Sequence, residues 1–288
     1  MYPVAIAETG ICLSVVKDHS SQLGYLSMDL SRLVTPVTRQ TLSGDVYKQL
    51  RDLLMSGRVM PGEQLSLRTL ADSLGVSVMP VREAVLRLLS EKALELLPNR
   101  VLRVPTMTVS QFREITEIRI NLEGLATARA AAMVDETGLH EIEAVHQRFS
   151  RESSLKRPNE SHLIALNKEL HFTIYRQAGM PMLLEMIESL WLRIGPILNY
   201  DLRSGSARVT EHVSADHHDR IFTALRKKDP AAASKALAGD LRGAADFIVS
   251  AGVLVADDAG VATTAHPSPT AGPVAARGAK RTRAEQAA

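Results

Sequence analysis

Asn167 and His171 carry an oxygen and a nitrogen donor on side chains that can share one face of a helix. They lie four residues apart in a stretch with helical periodicity, and residues at i and i+4 share one helix face, where they can present two ligand atoms to one ion. A helix that pairs two histidines with a glutamate, as in zinc hydrolases, is absent from the sequence. The single cysteine, Cys12, rules out a cysteine-rich zinc site. Metal binding is therefore more expected than metal-dependent hydrolysis.

Arg82 is the arginine best placed by its sequence to bind an anion. The residues four positions to either side, Val78 and Leu86, are uncharged, so no ion pair within the helix would occupy its guanidinium. Its fork of donors can then bind phosphate or a guanine edge.

Arg87 is different, because Glu83 and Glu91 each lie four residues away. For this arginine a surface ion pair is at least as expected as a contact with a nucleic acid.

The elements that must position Arg82 form the pattern of a winged helix-turn-helix in residues 37–105. A tight break at Gly75-Val76-Ser77 separates two short helices, with Pro80 near the first position of the second helix. The tripeptide Pro98-Asn99-Arg100 separates two extended runs, which predicts a hairpin wing. The predicted helices cover residues 43–56, 66–74 and 80–92, and the predicted strands cover 94–97 and 101–104.

The sequence pattern of residues 110–250 predicts long helices and no strands, so the fold class is mostly α. Pro196 should kink the fourth of these helices without ending it, because apolar spacing continues through Ile197 and Leu198. The pattern favours an all-α six-helix bundle. Its predicted helices cover residues 110–134, 137–152, 160–178, 181–203, 210–228 and 230–249.

Composition favours a two-domain cytoplasmic protein. The chain has 288 residues, 45% of them hydrophobic, which is enough for two modest cores. No apolar run approaches the roughly 18 residues that a membrane helix needs, and the first basic residue, Lys17, comes too late for a secretory signal. The formal charge is about +3 over residues 37–105 and about −1 over residues 106–250. That difference suits a nucleic-acid-binding module beside a neutral one.

The two ends of the chain are predicted to lie outside both domains. Residues 1–36 show no sustained period and are expected to be a flexible extension, with Met28 as the expected start of translation. Residues 251–288 are rich in Ala, Gly, Pro and Thr and are expected to be a disordered tail. The basic run from Arg277 to Arg283 is more expected to be solvated than to touch DNA.

The first domain resembles the N-terminal domain of the GntR family of bacterial regulators. The resemblance lies in SGRVMPGEQL at residues 56–65, LADSLGVSVMPVREAVLRL at 70–88 and PNR at 98–100. It implies binding to double-stranded operator DNA, with the second helix of the motif in the major groove and the wing near the minor groove or its phosphates. The implied contact residues are Arg68, Ser77, Arg82, Asn99 and Arg100.

The chain departs from that family's pattern at Val78-Met79, where Arg-Thr is common. A usual base-reading arginine is therefore absent, and the operator should differ from those of relatives. Val78 or Met79 can instead pack against a thymine methyl group.

The second domain resembles the FCD ligand-binding domain of the FadR subfamily. The similar strings are EIRINLEGLATARAAA at residues 117–132, LNKELHFTIYRQAG at 166–179 and HDRIFTALRKKDPAAA at 218–233. Six predicted helices favour the shorter, VanR-like branch.

Many domains of this class hold a divalent metal through an Asp and a His four residues apart and two further His. The corresponding residues here are Asn167, His171, His218 and Asp240. Two imidazoles and one carboxylate suit zinc, nickel or manganese. The alternative is a polar pocket that binds the effector without metal, with His217 merely exposed.

Arg119 matches a recurrent arginine of the FCD domain, and the resemblance implies that it binds the carboxylate of an acidic effector. Glu123 lies four residues further on, so an ion pair within the helix is the alternative, and both can hold at once.

These features together predict a homodimeric, ligand-responsive repressor that is not an enzyme. A single winged helix buries little surface on DNA. A dimer that binds two paired half-sites would reach a useful affinity. The alternatives are a metal-dependent hydrolytic enzyme built on the helical domain and a purely structural nucleoid protein. The first would need a further base beside the metal-bound water, and the second would have no use for a second domain.

Overall fold

The computed structural model describes residues 13–16, 25–28, 41–56, 58–200, 202 and 206–257. Its helices and strands confirm a mostly helical chain with a helix-turn-helix module followed by a helical bundle. The helices are α1 (Thr41–Met55), α2 (Leu67–Leu74), α3 (Val78–Ser90), α4 (Val109–Met133), α5 (Glu136–Ser153), α6 (Glu160–Arg176), α7 (Pro181–Leu198), α8 (Ala207–Thr210), α9 (Val213–Arg226) and α10 (Pro230–Ser250). The strands are β1 (Leu13–Val16), β2 (Tyr25–Met28), β3 (Gln64–Leu65), β4 (Glu95–Leu96) and β5 (Leu102–Arg103).

Two serines and a glycine set the ends of the helices in the helix-turn-helix. Ser66 caps α2 by accepting a hydrogen bond from the Thr69 amide, and Gly75 ends α2 in the left-handed region at φ 65°. Ser77 is the N-cap of α3. Pro80 is therefore the third residue of α3, two positions further into the helix than the predicted start at residue 80 placed it. The first turn still tolerates it, because the amides there have no partner within the helix.

The wing contains one strand more than the sequence predicted. β4 and β5 pair antiparallel, with Leu96 opposite Leu102, and β3 pairs with the other edge of β5. β3 is only two residues long, too short to produce an alternating pattern. Arg100 at the wing tip has φ 61°, a left-handed conformation that helps the chain to reverse direction.

The bundle differs from its predicted layout at two points. α7 runs through Pro196 as expected but ends at Leu198, before the predicted residue 203. The predicted helix over 210–228 is α9, which begins only at Val213 because the chain leaves helical geometry at His212, where φ is 57°. The separate short helix α8, which ends at Thr210, was not predicted. Six long helices and the four-residue α8 therefore make up this domain within the described part of the chain.

α10 packs along α4 and α9, and α5 packs against α6 and α9, which brings one buried turn from each of α6, α9 and α10 close together. The described chain has no helix that is both long and apolar enough to span a membrane.

α1 of the first domain packs directly on α7 of the second. A Cβ atom on Gly195 would lie 3.0 Å from the Leu54 carbonyl oxygen, so a glycine allows the two backbones to approach each other. The Asn199 amide donates to the Met55 carbonyl oxygen at 3.1 Å, and Arg51 pairs with Glu188 at 2.6 Å. The two domains therefore share a packed junction.

The ends of the chain contain more regular structure than the sequence predicted. β1 and β2 pair antiparallel within the extension that was expected to be flexible. Val255, inside the predicted tail, bridges to the start of α4, where its amide donates to the Met107 carbonyl oxygen at 2.9 Å. Residues 258–288, with the basic run near Arg283, lie outside the described residues.

Candidate DNA-binding surface and buried metal-ligating cluster

The start of α3 presents an exposed surface of mixed character. Ser77, Val78, Met79 and Arg82 are all exposed, with Met79 58% accessible. The Ser77 hydroxyl makes no capping hydrogen bond, so it can bind another group. Exposed apolar side chains at the N-terminus of such a helix are suited to contact with thymine methyl groups.

All three predicted DNA-binding arginines lie around one recess between α2, α3 and the wing. Arg68, Arg82 and Arg100 line a cavity of about 600 Å³. Its walls include the exposed leucines Leu86 and Leu96. This recess carries concentrated positive charge on the same side as the start of α3.

Asn99 shapes the wing tip. Its side-chain oxygen accepts a hydrogen bond from the Val101 amide at 3.2 Å, an Asx turn that holds Arg100 at the exposed end of the hairpin.

Arg87 adopts the ion pair that its sequence neighbours allow. Its Nε lies 3.1 Å from a carboxylate oxygen of Glu91, and its guanidinium covers the Tyr47 ring at 3.7 Å. Tyr47 in turn donates to Glu91. Arg87 therefore fastens α3 to α1.

The second site lies inside the bundle, where His171 on α6, His218 on α9 and Asp240 on α10 meet. Potential ligand atoms of these three buried residues all lie within 4.8 Å of one another. His171 Nε2 is 3.4 Å from Asp240 Oδ2. Asn167 lies one turn before His171 on α6 and is half-buried.

Burial and charge oppose each other in the ionisation of this cluster. Burial lowers the pKa of His218 to about 3, although the nearby Asp240 carboxylate acts in the opposite direction. Burial favours the neutral form of Asp240, but its hydrogen bond to His171 and the charges of the two histidines and Arg208 outweigh burial and hold its pKa below the ordinary value. His218 is therefore a neutral imidazole and Asp240 a carboxylate at pH 7, which are the forms that bind a metal.

The cluster fits a divalent metal ion on its own geometry. Both ring nitrogens of His218 are buried and have no hydrogen-bond partner among the described residues, which is costly unless something binds them. His171 Nδ1 lies 3.0 Å from the Tyr175 hydroxyl, the type of outer contact that orients a ligating imidazole. Two imidazoles and a carboxylate are a donor set that suits zinc, nickel or manganese.

Arg119 is engaged within its own helix. Its Nε lies 2.6 Å from a carboxylate oxygen of Glu123, and both side chains are buried. Glu123 also accepts a hydrogen bond from Tyr175, whose pKa is raised by burial and by the Glu123 charge, so that the phenol keeps its proton. The Arg119 guanidinium lies 5.1 Å from the centre of the Trp191 ring. The ion pair offered as the alternative for Arg119 is therefore present.

Sequence reasoning missed three buried polar side chains close to this cluster or to its helices. Arg208 on α8 donates to Asp240 Oδ1 at 3.2 Å. Trp191 packs against His171 with ring centres 5.7 Å apart, and Ser214 lies one turn before His218 on α9. The four-residue spacing of Ser214 and His218 could have indicated that they share one face of a helix. Nothing in the local sequence indicated that Arg208 lies beside the cluster. His217, which only the alternative of a metal-free pocket expected to be exposed, is half-buried.

An exposed cationic helix-turn-helix joined to a bundle with a buried polar site defines a DNA-binding regulator with its own sensing domain. The chain belongs to the GntR family of bacterial regulatory proteins. Residues 42–104 match the model described as "Bacterial regulatory proteins, gntR family", and residues 114–243 match the FCD domain.

Relatives of known name support the same assignment. The HTH-type transcriptional regulator McbR of Escherichia coli (strain K12) is 34% identical over 190 residues, which cover 66% of this chain and 84% of McbR. The HTH-type transcriptional repressor RspR of the same organism is 26% identical, over 70% of this chain and 87% of RspR.

Solved structures agree with the fold. The structure of E. coli McbR/YncC is similar with a TM-score of 0.68 and 30% identity, covering 74% of this chain and all (100%) of that one. A GntR regulator from Rhodococcus sp. RHA1 has a TM-score of 0.61 at 20% identity, covering 74% of this chain and 99% of that one. With the family matches, the chain is thus a DNA-binding transcriptional regulator with an FCD domain.

Proposed function

We propose that this regulator is a homodimeric repressor of a metabolic operon, and that a small organic acid bound in the bundle releases it from DNA. The proposal places it in the FadR subfamily, in the VanR-like branch. The observation that carries it is the separation of an exposed arginine-lined recess from a buried polar cluster in one chain. A regulator of this kind acts on chromosomal DNA in the bacterial cytoplasm.

On DNA, α3 would enter the major groove with its first turn nearest the bases. Ser77 and Arg82 are then donors to bases or phosphates, and Val78 and Met79 provide apolar contacts with thymine methyl groups. Arg68 would clamp a backbone phosphate beside the groove, while Asn99 and Arg100 approach the minor groove from the wing.

In the bundle, His171, His218 and Asp240 would hold one divalent ion, with Asn167 as a weak neutral oxygen donor one turn away on α6. A bound ion would supply positive charge and open coordination positions for an acid. The buried Arg119 would add a positive charge on the side of the pocket formed by α4. The carboxylate of the effector would then replace Glu123 as its partner.

A row of exposed apolar side chains on α4 supports the dimer. Ile118, Leu125 and Met133 recur every seven or eight residues, so they lie along one side of the helix, and they are 43%, 50% and 60% exposed. Exposed apolar stripes of this kind mark protein interfaces. A dimer through α4 would present two recognition helices to the two halves of an operator.

The test selects a binding sequence for the purified regulator from a pool of random DNA duplexes and then adds acids to the complex. We expect enrichment of a site with two related halves, and release of that DNA by one member of a panel of small organic and aromatic acids, with or without zinc or nickel. Absence of any enriched sequence at low salt would overturn the DNA-binding assignment. A complex that no acid in the panel affects would overturn the assigned effector class.

A further inference from the structure

A cleft of about 840 Å³ lies where the two domains meet. One wall comes from α1, the turn after it and α2 of the DNA-binding domain, and the other comes from α6 and Glu188 of α7. This junction cleft exists because α1 packs closely on α7 and leaves a gap to α6, which the ion pair of Lys168 and Asp52 spans at 3.3 Å. Ligand sites in proteins commonly have this volume and this position between domains.

Part of the cleft lining is apolar and includes an aromatic ring that is fixed in place. Leu53 of α1 faces Ile164 and Phe172 of α6 across the cleft. Ile164 and Phe172 are eight residues apart, so they share one face of α6. The Phe172 ring packs edge-on against Trp191, with ring centres 5.2 Å apart. A rigid aromatic surface of this kind suits the apolar body of a small ligand.

The charged part of the lining has an excess of positive charge, with five cationic and three anionic side chains. Each carboxylate already has a basic partner, in the pairs Asp52–Lys168, Glu188–Arg51 and Glu169–Arg148. Arg58 and Arg176, one from each domain, form no ion pair with any described residue, and Arg176 donates to the Thr173 hydroxyl at 2.9 Å. The cleft is therefore suited to an anion.

Arg51, which also lines the cleft, has an unsatisfied donor. Its Nη2 lies 2.6 Å from Glu188 Oε2, but its Nε is buried and meets no acceptor in the part of the chain that the structure covers. A buried donor without an acceptor costs free energy. A ligand atom that reached Arg51 would recover part of that cost.

We propose that the junction cleft binds a small aromatic acid, with its ring against Phe172 and its anionic group between Arg58 and Arg176. A neutral apolar molecule would leave both arginines unpaired, and a polyanion would meet the three carboxylates of the lining. This second ligand site is separate from the bundle, and its use requires no metal. Because its occupant contacts both domains, binding favours the orientation in which both arginines reach the anion.

The test titrates the whole protein with anilinonaphthalene sulfonate, an aromatic anion whose fluorescence rises in apolar surroundings. EDTA in the buffer keeps divalent ions out of the bundle. Arg58→Gln and Arg176→Gln each remove one cation and should weaken binding about fivefold, the size expected for a partly exposed charge pair. Ala165 is exposed on the α6 wall, so Ala165→Phe should fill the cleft and weaken binding at least about tenfold through a steric clash.

Arg151→Gln is the matched control for Arg176→Gln. The two arginines lie in the last turns of the neighbouring helices α5 and α6, so both substitutions remove the same favourable charge from a helix C-terminus. Arg151 is exposed and does not line the cleft. Its replacement should leave the affinity for the sulfonate within about twofold of wild type, because solvent screens a distant charge.

A second control removes the charge from the probe. Phenylnaphthylamine has the same rings without the sulfonate group, so wild type and Arg176→Gln should bind it equally. A loss of affinity for this neutral probe as large as that for the sulfonate would contradict the charge contact.

The remaining outcomes are equally decisive. No binding by wild type, or equal sulfonate affinity of wild type and both glutamine variants, would overturn the proposal. Unchanged binding by Ala165→Phe would place the probe outside the cleft. Affinity that falls as the protein concentration rises would mean that a second copy of the chain covers the cleft, which would also overturn the ligand site. The selection of operator DNA tests the proposed function independently of all these results.

Discussion

At the scale of single residues, four arginines of this chain show how the environment decides the role of one side chain. Arg82 is exposed in an arginine-lined recess, whereas Arg87 is held by Glu91 and Tyr47. Arg119 is neutralised inside one helix, and Arg208 is bound to a carboxylate from another helix. Of these four, we propose that only Arg82 contacts DNA, and only Arg208 shares its partner with the candidate metal site.

The two arginines of α3 give a matched pair for DNA binding. Replacement of Arg82 by Ala should weaken binding to the selected operator by about 1–3 kcal/mol if it contacts a base, with little loss of thermal stability. Replacement of Arg87 by Ala should leave DNA affinity nearly unchanged and lower stability slightly, since it removes a mostly exposed ion pair and its contact with Tyr47. Gel shifts at fixed salt measure the first effect, and equal affinities of the two variants would contradict the docking of α3.

His218 predicts how the stability of the metal-free protein depends on pH. Its pKa is about 3 in the folded chain against 6.5 for an unperturbed histidine. Between these values the unfolded chain binds the extra proton, so stability falls as pH is lowered below 6.5, by about 2 kcal/mol at pH 5. The groups that face the ring and act on its charge are Asp240, His171, His146 and His217.

Denaturation followed by the fluorescence of Trp191, the single tryptophan, measures this loss at pH 7 and pH 5. The loss should be smaller in His218→Gln, because glutamine does not titrate, and unchanged in His140→Gln, whose ring is exposed on α5. An equal loss in wild type and His218→Gln would show that other groups control the acid sensitivity.

At the scale of secondary structure, short elements and helix ends decide both sites. Ser77 is the N-cap of α3, so the residues proposed to face the bases, Val78, Met79 and Arg82, lie at the start of that helix. The break at His212 separates α8 from α9 and so allows Arg208 to approach Asp240 from outside the helix that carries His218. A continuous helix over 210–228 would lack this separation.

The contact between α1 and α7 can be tested at one glycine. Gly195→Val would force a side chain against the backbone of Leu54 and Met55, and overpacking of this kind costs about 1–3 kcal/mol. Gly44→Val on α1 is the control, because a Cβ there meets nothing within 4 Å. We expect a clearly lower thermal midpoint for the Gly195 variant than for the Gly44 variant. Equal midpoints would mean that the contact between α1 and α7 accommodates the added side chain without loss of stability.

At the scale of the whole molecule, the junction couples the DNA-binding domain to the sensing domain. Arg51 pairs with Glu188 of α7, and Lys168 of α6 lies 3.3 Å from Asp52 of α1. α6 also carries His171, and α7 carries Trp191. A ligand that binds two orientations of these helices with different affinity would therefore shift the position of α3.

The α4 stripe predicts the oligomeric state. Leu125→Glu should convert the proposed dimer to a monomer and weaken operator binding at least tenfold, because one half-site contact is lost. Leu155→Glu is the control, since Leu155 is equally exposed, at 53%, but lies beyond α5 and outside the stripe. Light scattering gives the mass of each variant, and a dimeric Leu125→Glu variant would move the interface away from α4.

The sequence by itself determined the helices, the two domains and the class of protein. Caps, glycines and apolar periodicity are local signals, and they predicted most helix bounds within a few residues. It also named His171, His218 and Asp240, through a resemblance to a known domain. Only the tertiary structure decided what depends on contacts between distant residues: the short strand β3, the pairing of Arg119 with Glu123, and the position of Arg208 on Asp240. Those outcomes depend on packing and electrostatics between elements, which no local pattern encodes.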